Sequence, residues 1–271
     1  MADILHFLYG SAAGRFLLKG LAAPPLSRIC GRFLDSKASG FLIGPFVRKN
    51  EIDLSDFETE SMRSFNDCFS RKIRAGLRPI DMEPEHLIAP CDGLLSACEI
   101  RKNTVLHVKN SSYRLSDLLR SRRLAAHYQD GLCLVYRLCV NHYHRYCYVD
   151  SGRKSRNVFI PGELHTVRPV ALEQLPVFAR NCREYTLLKT NNFGSVLQME
   201  VGAMLVGRIV NYDQEALVER GQEKGMFQYG GSTVIVLLQK DRAALLPEYK
   251  QTITTGQEIP VHMGQQVGRT L

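Results

Sequence analysis

Residues 229–238 read Tyr-Gly-Gly-Ser-Thr-Val-Ile-Val-Leu-Leu, and we expect the rest of the chain to be organised around them. The part from 234 to 238 is apolar and mostly β-branched, which is typical of a buried strand. Two glycines stand directly before Ser232, at the start of that strand. Glycine permits strained backbone and leaves its carbonyl unshielded, so the Ser232 hydroxyl can lie against the preceding peptide bond. A hairpin turn is the alternative interpretation of these few residues alone.

The composition of the chain changes near residue 87, where short apolar segments separated by glycine begin. We predict strands at 94–100, 104–108, 132–140, 156–160, 185–189, 195–201, 204–210 and 234–238, with a helical segment near 115–128. The pattern indicates an α+β fold, in which a β-rich, sandwich-like domain follows amphipathic N-terminal helices. We place the domain boundary between a helical region at 1–60 and a β-rich region at 61–271.

The 271-residue chain is long enough for a substantial core, and its eight cysteines include no Cys-x-x-Cys pair. Several cysteines lie inside apolar runs, such as Cys133 and Cys139 in the segment 132–140. Such cysteines are typical of small buried hydrophobic residues in a reducing compartment, and we expect neither disulfides nor a metal site.

The positive charge of the chain is concentrated at its N terminus. The net charge is +8, and residues 1–50 hold seven Lys or Arg against two Asp, a local net charge of +5. No apolar run reaches the length of a membrane span, and Arg15 and Lys19 interrupt the segment where a secretory signal would be apolar. We expect short basic helices on an anionic membrane surface. Packing of their apolar faces on the domain is an equally good interpretation.

Several motifs from about residue 60 to the C terminus resemble those of the phosphatidylserine decarboxylase family. The longest is Gly-Met-Phe-Gln-Tyr-Gly-Gly-Ser-Thr-Val at 225–234, in which most members carry a larger apolar residue at Gly230. The others are Phe-Asn, Arg-Lys and Arg-Pro within 65–79, Pro-Cys-Asp-Gly at 90–93, Tyr-His-Arg at 143–145, Pro-Gly-Glu-Leu-His-Thr-Val-Arg-Pro at 161–169, Asn-Cys-Arg at 181–183, and Glu-Val-Gly-Ala-Met-Leu-Val-Gly at 200–207.

The resemblance implies that the chain cuts itself between Gly231 and Ser232. Attack of Ser232 on the Gly231 carbonyl would give an ester, and elimination and hydrolysis would convert the serine into a covalent pyruvoyl cofactor. The products would be a β chain of residues 1–231 and an α chain of residues 232–271. The pyruvoyl ketone would condense with the substrate amine as a Schiff base and accept the electrons released with CO₂.

The resemblance also names the residues that would assist Ser232, which is a weak nucleophile without a base. It assigns Asp92 to orienting a histidine, as in a catalytic triad; taken alone, Asp-Gly is a hairpin turn. The family's Asp-Tyr-His-Arg-x-His block is altered here, because His142 replaces the Asp and Cys147 replaces the second His, the usual base. A thiol with a pKa of about 8.5 is mostly protonated at neutral pH. We therefore predict His144 with Asp92 as the catalytic pair, and Cys147 and then His142 as alternatives.

The function implied by the resemblance is decarboxylation of phosphatidylserine to phosphatidylethanolamine and CO₂, in phospholipid biosynthesis. The expected partners are an anionic phospholipid membrane and this substrate, with a homodimer left open and no nucleic acid. The expected location is peripheral, on the cytoplasmic face of the cell membrane. Two alternatives remain at this point: a decarboxylase of a free amino acid, and a non-catalytic lipid-binding relative that kept the fold.

Overall fold

The beginning of the chain is helical, and most of the remainder is strand. The computed structural model describes residues 7–21, 24–101, 105–108, 111–166, 171, 176–202, 208–228 and 232–271. Its helices include Ala12–Leu21, Pro24–Asp35, the 3₁₀ helix Lys37–Leu42, Ile43–Lys49, Phe65–Phe69, Leu115–Leu119, Arg122–Ala126, Val177–Arg180, Pro247–Lys250 and Thr252–Thr255.

The strands are numbered in chain order. They are β1 His86–Ile88, β2 Gly93–Glu99, β3 Val105–Val108, β4 Ser111–Arg114, β5 Leu132–Leu138, β6 Arg145–Cys147, β7 Gly152–Lys154, β8 Val158–Ile160, β9 Arg183–Thr190, β10 Ser195–Gly202, β11 Ile209–Asn211, β12 Ala216–Val218, β13 Glu223–Phe227, β14 Ser232–Leu238, β15 Ala243–Leu245, β16 Ile259–Val261 and β17 Gln266–Thr270.

These strands form one large sheet and smaller ones beside it. The large sheet has nine strands in the order β12-β7-β9-β10-β14-β5-β2-β16, with β8 also paired to β9. Two three-stranded sheets have the orders β1-β17-β15 and β11-β13-β6, and β3 and β4 form a hairpin. The pairings of the large sheet are antiparallel, and most neighbouring strands in it are far apart in the chain, so long connections join them.

Strand β14 lies at the centre of the large sheet because both of its faces are apolar. All seven of its residues are buried. Ile235 and Leu237 belong to one hydrophobic cluster, and Val234, Val236 and Leu238 belong to another. A strand covered on both faces needs a continuous apolar run rather than an alternating one, which explains the sequence at 234–238.

The two clusters lie on opposite faces of the large sheet. The first contains helical residues such as Leu118 and Phe178. The second contains Leu87 and Val267 of one small sheet and Tyr146 of the other, so both small sheets cover this face. The arrangement is a sandwich with added helices, and the predicted α+β, β-rich fold class is confirmed.

The N-terminal helices have one packed side and one open side. Tyr9 and Leu18 are buried in the same cluster as Leu118, so this part of the chain contributes to the main core. The opposite side leaves Phe16 76% exposed and Phe41 70% exposed. Within the ranges given above, none of the helices has the length and apolarity to span a membrane. The predicted boundary at residue 60 stays a prediction.

The predicted strands agree with the structure wherever it describes them. β2, β3, β5, β8, β9, β10 and β14 lie within or next to the predicted segments, and two short helices occupy the predicted helical segment at 115–128. Most of the segment 204–210 lies outside the described residues, and so do Tyr229, Gly230 and Gly231. All eight cysteines are free thiols, and six of them are buried.

Candidate active site

The strand register brings the predicted site residues to one edge of the large sheet. Ser232, the first residue of β14, pairs with Leu138, the last residue of β5. Arg137 pairs with Leu94, so Gly93 stands opposite Leu138 in the next strand, and Gly93 pairs with Val261 of β16. Neighbouring strands are about 4.8 Å apart, so the row from Ser232 to Gly93 spans about 10 Å. Asp92, directly before Gly93, therefore lies at the same edge as Ser232.

Ser232 is fully buried, with 0% of its surface exposed. Its hydroxyl oxygen has no hydrogen-bond partner among the described residues. A buried polar group without a partner costs about 1–3 kcal/mol, and such groups concentrate where function requires them. The hydroxyl at the start of β14 therefore makes no structural hydrogen bond within the described part of the chain.

His144 is buried and has a defined tautomer. Its ring packs on Phe69 with 4.0 Å between ring centroids. Its Nδ1 lies 2.9 Å from the carbonyl oxygen of His142, which can only accept, so Nδ1 carries the proton. Nε2 is then an unprotonated acceptor, and it is buried without a partner among the described residues. Burial, with the nearby charge of Arg71, holds the pKa of His144 well below 6.5, so the ring is a neutral base at pH 7.

His142 lies two residues earlier in the same turn and has the opposite tautomer. The backbone N–H of Cys139 donates to its Nδ1 at 3.1 Å, so Nδ1 is the acceptor and Nε2 carries the proton. Burial lowers the pKa of His142, and the charge of Asp92 offsets part of that effect. Both histidines lie on the turn 139–144, directly after the strand position that faces Ser232.

Asp92 is held by groups other than His144. The guanidinium of Arg78 donates to both carboxylate oxygens, with distances of 2.8–3.1 Å, and the backbone N–H of Met263 donates at 2.9 Å. His262 Nδ1 lies 3.6 Å from the carboxylate. Burial acts to raise the pKa of Asp92, but these hydrogen bonds and the Arg78 charge outweigh it, and the pKa lies below 3.8.

The expected hydrogen bond between Asp92 and His144 is therefore not formed. His144 Nδ1–H donates to the His142 carbonyl instead. The Asp92 carboxylate accepts from the Arg78 guanidinium and from the backbone N–H of Met263. Of the two histidines on the turn 139–144, it is His142 whose pKa is affected by the Asp92 charge. The structure brings Asp92, Ser232 and the turn 139–144 to one edge, while the individual catalytic roles stay predictions.

Cys147 is unsuited to act as a base in this structure. It is fully buried in β6, and its backbone N–H donates to the carbonyl of Pro90 at 2.8 Å. Burial raises the pKa of its thiol to about 12, and the charges of Glu223 and Asp92 act in the same direction. The side chain is a neutral thiol at pH 7.

Two arginines contribute to the site without having been given a role from the sequence. Arg71 is buried, and its Nη2 donates to the carbonyls of Asn141 at 2.7 Å and His142 at 2.8 Å. It thereby holds the turn that carries both histidines, while Arg78 holds Asp92. The only signal in the sequence was their place in the Arg-Lys and Arg-Pro motifs. His262, which also lies near Asp92, had no such signal.

A buried ion pair lies further along the same face of the sheet. Glu200 pairs with Val234, two residues along β14 from Ser232, so the two side chains point to the same side. Its carboxylate accepts from Lys224 Nζ at 2.6 Å, and both side chains are fully buried. Asn211 bonds both of them. Burial raises the pKa of Glu200 despite the Lys224 charge.

A buried hydroxyl and an unprotonated imidazole nitrogen at one end of a sandwich are suited to nucleophilic and acid–base chemistry. The site is thus that of an enzyme. Comparison with known families agrees, since the model of the family described as phosphatidylserine decarboxylase matches residues 65–269. The chain belongs to this family, and it is therefore a carboxy-lyase.

Individual relatives resemble the chain over almost its full length. The "Phosphatidylserine decarboxylase proenzyme 2" of Clostridium acetobutylicum is 40% identical over 267 residues, covering 98% of this chain and 91% of the relative. The "Phosphatidylserine decarboxylase proenzyme" of Clostridium tetani is 38% identical, with coverage of 98% and 91%. The protein of that name from Ruminiclostridium cellulolyticum is 38% identical, with coverage of 99% and 91%. The family resemblance and the expected enzyme class are confirmed.

Proposed function

We propose that this protein decarboxylates phosphatidylserine to phosphatidylethanolamine, using a pyruvoyl group made from its own Ser232. The observation that carries the proposal is the buried Ser232 hydroxyl, which has no partner among the described residues and begins the central strand. Membership of the family supports the reaction, and the relatives named above are called proenzymes. A proenzyme must be processed before it acts, which fits cleavage between Gly231 and Ser232.

The described side chains supply the groups that self-cleavage would need. His144 Nε2 takes the proton from the Ser232 hydroxyl, and the oxygen attacks the carbonyl carbon of Gly231. The new C–O ester bond replaces the C–N amide bond, and the proton passes from His144 to the departing Ser232 nitrogen. Burial keeps His144 neutral and ready to accept. Arg78 keeps Asp92 ionised, and that negative charge favours the protonated form of His142, the other imidazole of the turn.

The residues at this edge also fit the group that cleavage would leave there. Ser232 supplies its carbon skeleton, and the start of β14 encloses that residue. When formed, a pyruvoyl group supplies an electrophilic carbonyl and an electron sink for loss of CO₂. In the protonation that follows decarboxylation, His144 is positioned to hold or return a proton. A cavity of about 470 Å³, lined in part by Arg78, His262 and Met263, opens beside Asp92.

The substrate and the membrane location are supported by the N-terminal helices. The exposed large apolar side chains that the structure describes there are Phe7, Phe16, Leu17, Ile29, Phe33 and Phe41. They lie in a segment with a net charge of +5 over residues 1–50. Apolar insertion and attraction to acidic lipids are the two terms that hold a helix at a membrane surface, and each basic residue there contributes about 1 kcal/mol. Phosphatidylserine is itself anionic, so we propose peripheral attachment at the cytoplasmic face, where anionic lipids concentrate.

Intact mass spectrometry of the purified, denatured protein tests the proposal. We expect two species, one ending at Gly231 and one comprising residues 232–271 with a blocked pyruvoyl N terminus. Ser232→Ala should remain one chain of about 30.6 kDa and be inactive. A wild-type protein that remains one chain after prolonged incubation would refute self-processing.

The same experiment separates the two other candidate functions. A non-catalytic lipid-binding relative draws support from Cys147, because a thiol with a pKa of about 12 cannot replace a histidine base. It predicts an uncut chain that still binds vesicles. A free amino acid decarboxylase predicts a cut chain that releases CO₂ faster from free serine than from phosphatidylserine vesicles.

A further inference from the structure

We propose that His142 assists self-cleavage beside His144. Its Nε2–H donates a hydrogen bond to the oxygen of the carbonyl group whose carbon Ser232 attacks. The inference rests on the proposed self-cleavage and gives one of its residues a new role. Family motifs do not identify His142, because this chain has a histidine where the family's block carries Asp.

The ring is anchored next to the strand position that faces Ser232. Leu138 is the cross-strand partner of Ser232, and paired Cα atoms in antiparallel strands are about 4.5–5.5 Å apart. The next residue, Cys139, donates its backbone N–H to His142 Nδ1 at 3.1 Å. The imidazole is therefore tied to the end of β5, next to the strand position that faces Ser232. The carbonyl to be attacked belongs to Gly231, which is bonded directly to Ser232 and lies outside the described residues.

His142 and His144 are opposite tautomers, so one ring offers a hydrogen-bond donor and the other an acceptor. His144 donates through Nδ1 to the His142 carbonyl, which leaves its Nε2 as an acceptor. His142 accepts at Nδ1, which leaves its Nε2 as a donor. Attack on a peptide bond needs one of each: an acceptor for the hydroxyl proton and a donor for the negative charge on the carbonyl oxygen. Backbone hydrogen bonds set both tautomers, so neither depends on a third side chain.

Arg71 holds the turn 139–144, which carries both imidazole rings. Arg71 Nη2 donates to the carbonyls of Asn141 and His142 at 2.7 and 2.8 Å, and its guanidinium stacks over Phe57 at 4.5 Å. The His142 carbonyl thus accepts from both Arg71 and His144. His142 itself is half-buried. A fixed donor of this kind needs little reorganisation when charge develops in front of it.

In the proposed step the His144 Nε2 takes the Ser232 hydroxyl proton, the Oγ–C bond forms, and the electron pair of the carbonyl moves onto its oxygen. His142 Nε2–H donates a hydrogen bond to that oxygen without giving up its proton. The pair returns as the C–N bond breaks, and the proton on His144 goes to the Ser232 nitrogen. No further reactant is consumed in this step.

The test compares His142→Gln with His142→Met in the full-length precursor. The two replacements have similar length, but only glutamine carries an N–H near the reach of Nε2. Cleavage is followed by intact mass spectrometry from the time of synthesis. Loss of an oxyanion donor typically slows a reaction about 100- to 1000-fold. We expect that slowing for His142→Met, a loss of about tenfold or less for His142→Gln, and none for the exposed control His127→Met.

The outcomes separate this inference from the proposed function. If the wild-type chain does not cut, both fail. If the wild type and His142→Met cut at the same rate, self-cleavage stands and the donor role of His142 is refuted. Equal slowing of His142→Gln and His142→Met would also refute it, because the donor would then make no difference. Thermal melting of both variants in the uncut Ser232→Ala background checks that each is folded, and an unfolded His142→Met is replaced by His142→Leu.

Discussion

Replacing His144 by phenylalanine tests the assignment of the base with little structural damage. A phenyl ring can keep the packing on Phe69, which lies 4.0 Å from the imidazole between centroids. The His142 carbonyl loses one donor but still accepts from Arg71 at 2.8 Å. The substitution removes Nε2, the nitrogen that would accept the Ser232 proton. General bases contribute about 10²–10⁴ in rate, which is about 3–5 kcal/mol of activation free energy.

Cys147→Ala is the matched control, since it removes the competing base. With a thiol pKa of about 12, ionisation at pH 7 costs about 7 kcal/mol at 1.36 kcal/mol per pH unit. His144 is already neutral at pH 7 and has no such cost. Cys147→Ala should therefore cut at nearly the wild-type rate, although the small cavity will cost some stability.

The assay is a time course of precursor cleavage, read by intact mass spectrometry at several pH values. The pKa of His144 in the folded chain is lowered, so its basic form persists until the pH falls well below 6.5. Wild-type cleavage should be as fast at pH 6 as at pH 8, whereas a base with a pKa of 6.5 would be only about one-quarter neutral at pH 6. The reasoning is refuted if His144→Phe cuts normally while Cys147→Ala stalls.

Two further predictions concern stability and membrane binding. In the uncut Ser232→Ala chain, Lys224→Met leaves the buried Glu200 carboxylate unpaired, which should cost about 3–5 kcal/mol in urea unfolding. The exposed control Lys240→Met should cost almost nothing. Phe16→Ser with Phe41→Ser should weaken co-sedimentation with phosphatidylserine vesicles about tenfold or more, since each buried phenylalanine contributes about 1.5–3 kcal/mol. Unchanged binding, or an equal loss with Leu217→Ser on the β-rich part, would show that the N-terminal helices are not the contact surface.

The N-terminal helices also show why point substitutions are preferable to a deletion. Tyr9 and Leu18 are buried in the main core cluster, so removing residues 1–50 would expose that core. The sequence left open whether the apolar residues of these helices pack on the domain or face a membrane. The structure shows that one set packs and another set, including Phe16, is exposed. A helix has two sides, and its composition alone does not say what covers each.

The sequence by itself determined the central strand, the β-rich fold class, the family motifs and the position of Ser232. These depend on local properties. A continuous apolar run indicates a strand that is buried on both faces, and two glycines before a serine indicate a backbone conformation that other residues adopt with difficulty. It could also determine that Cys147 is a weak candidate for a base, because a thiol's ordinary pKa is already above neutrality.

Only the tertiary structure decided which groups meet. Asp92 is bound by Arg78 and Met263 rather than by His144, and the tautomers of His142 and His144 depend on backbone atoms elsewhere in the turn. The pairing of Glu200 with Lys224 likewise joins two strands of different sheets. A shift of one residue in strand register would turn Glu200 or Lys224 to the other face of its sheet. Contacts across strands, and the pKa shifts that burial causes, are therefore properties of the register and the packing rather than of any local sequence.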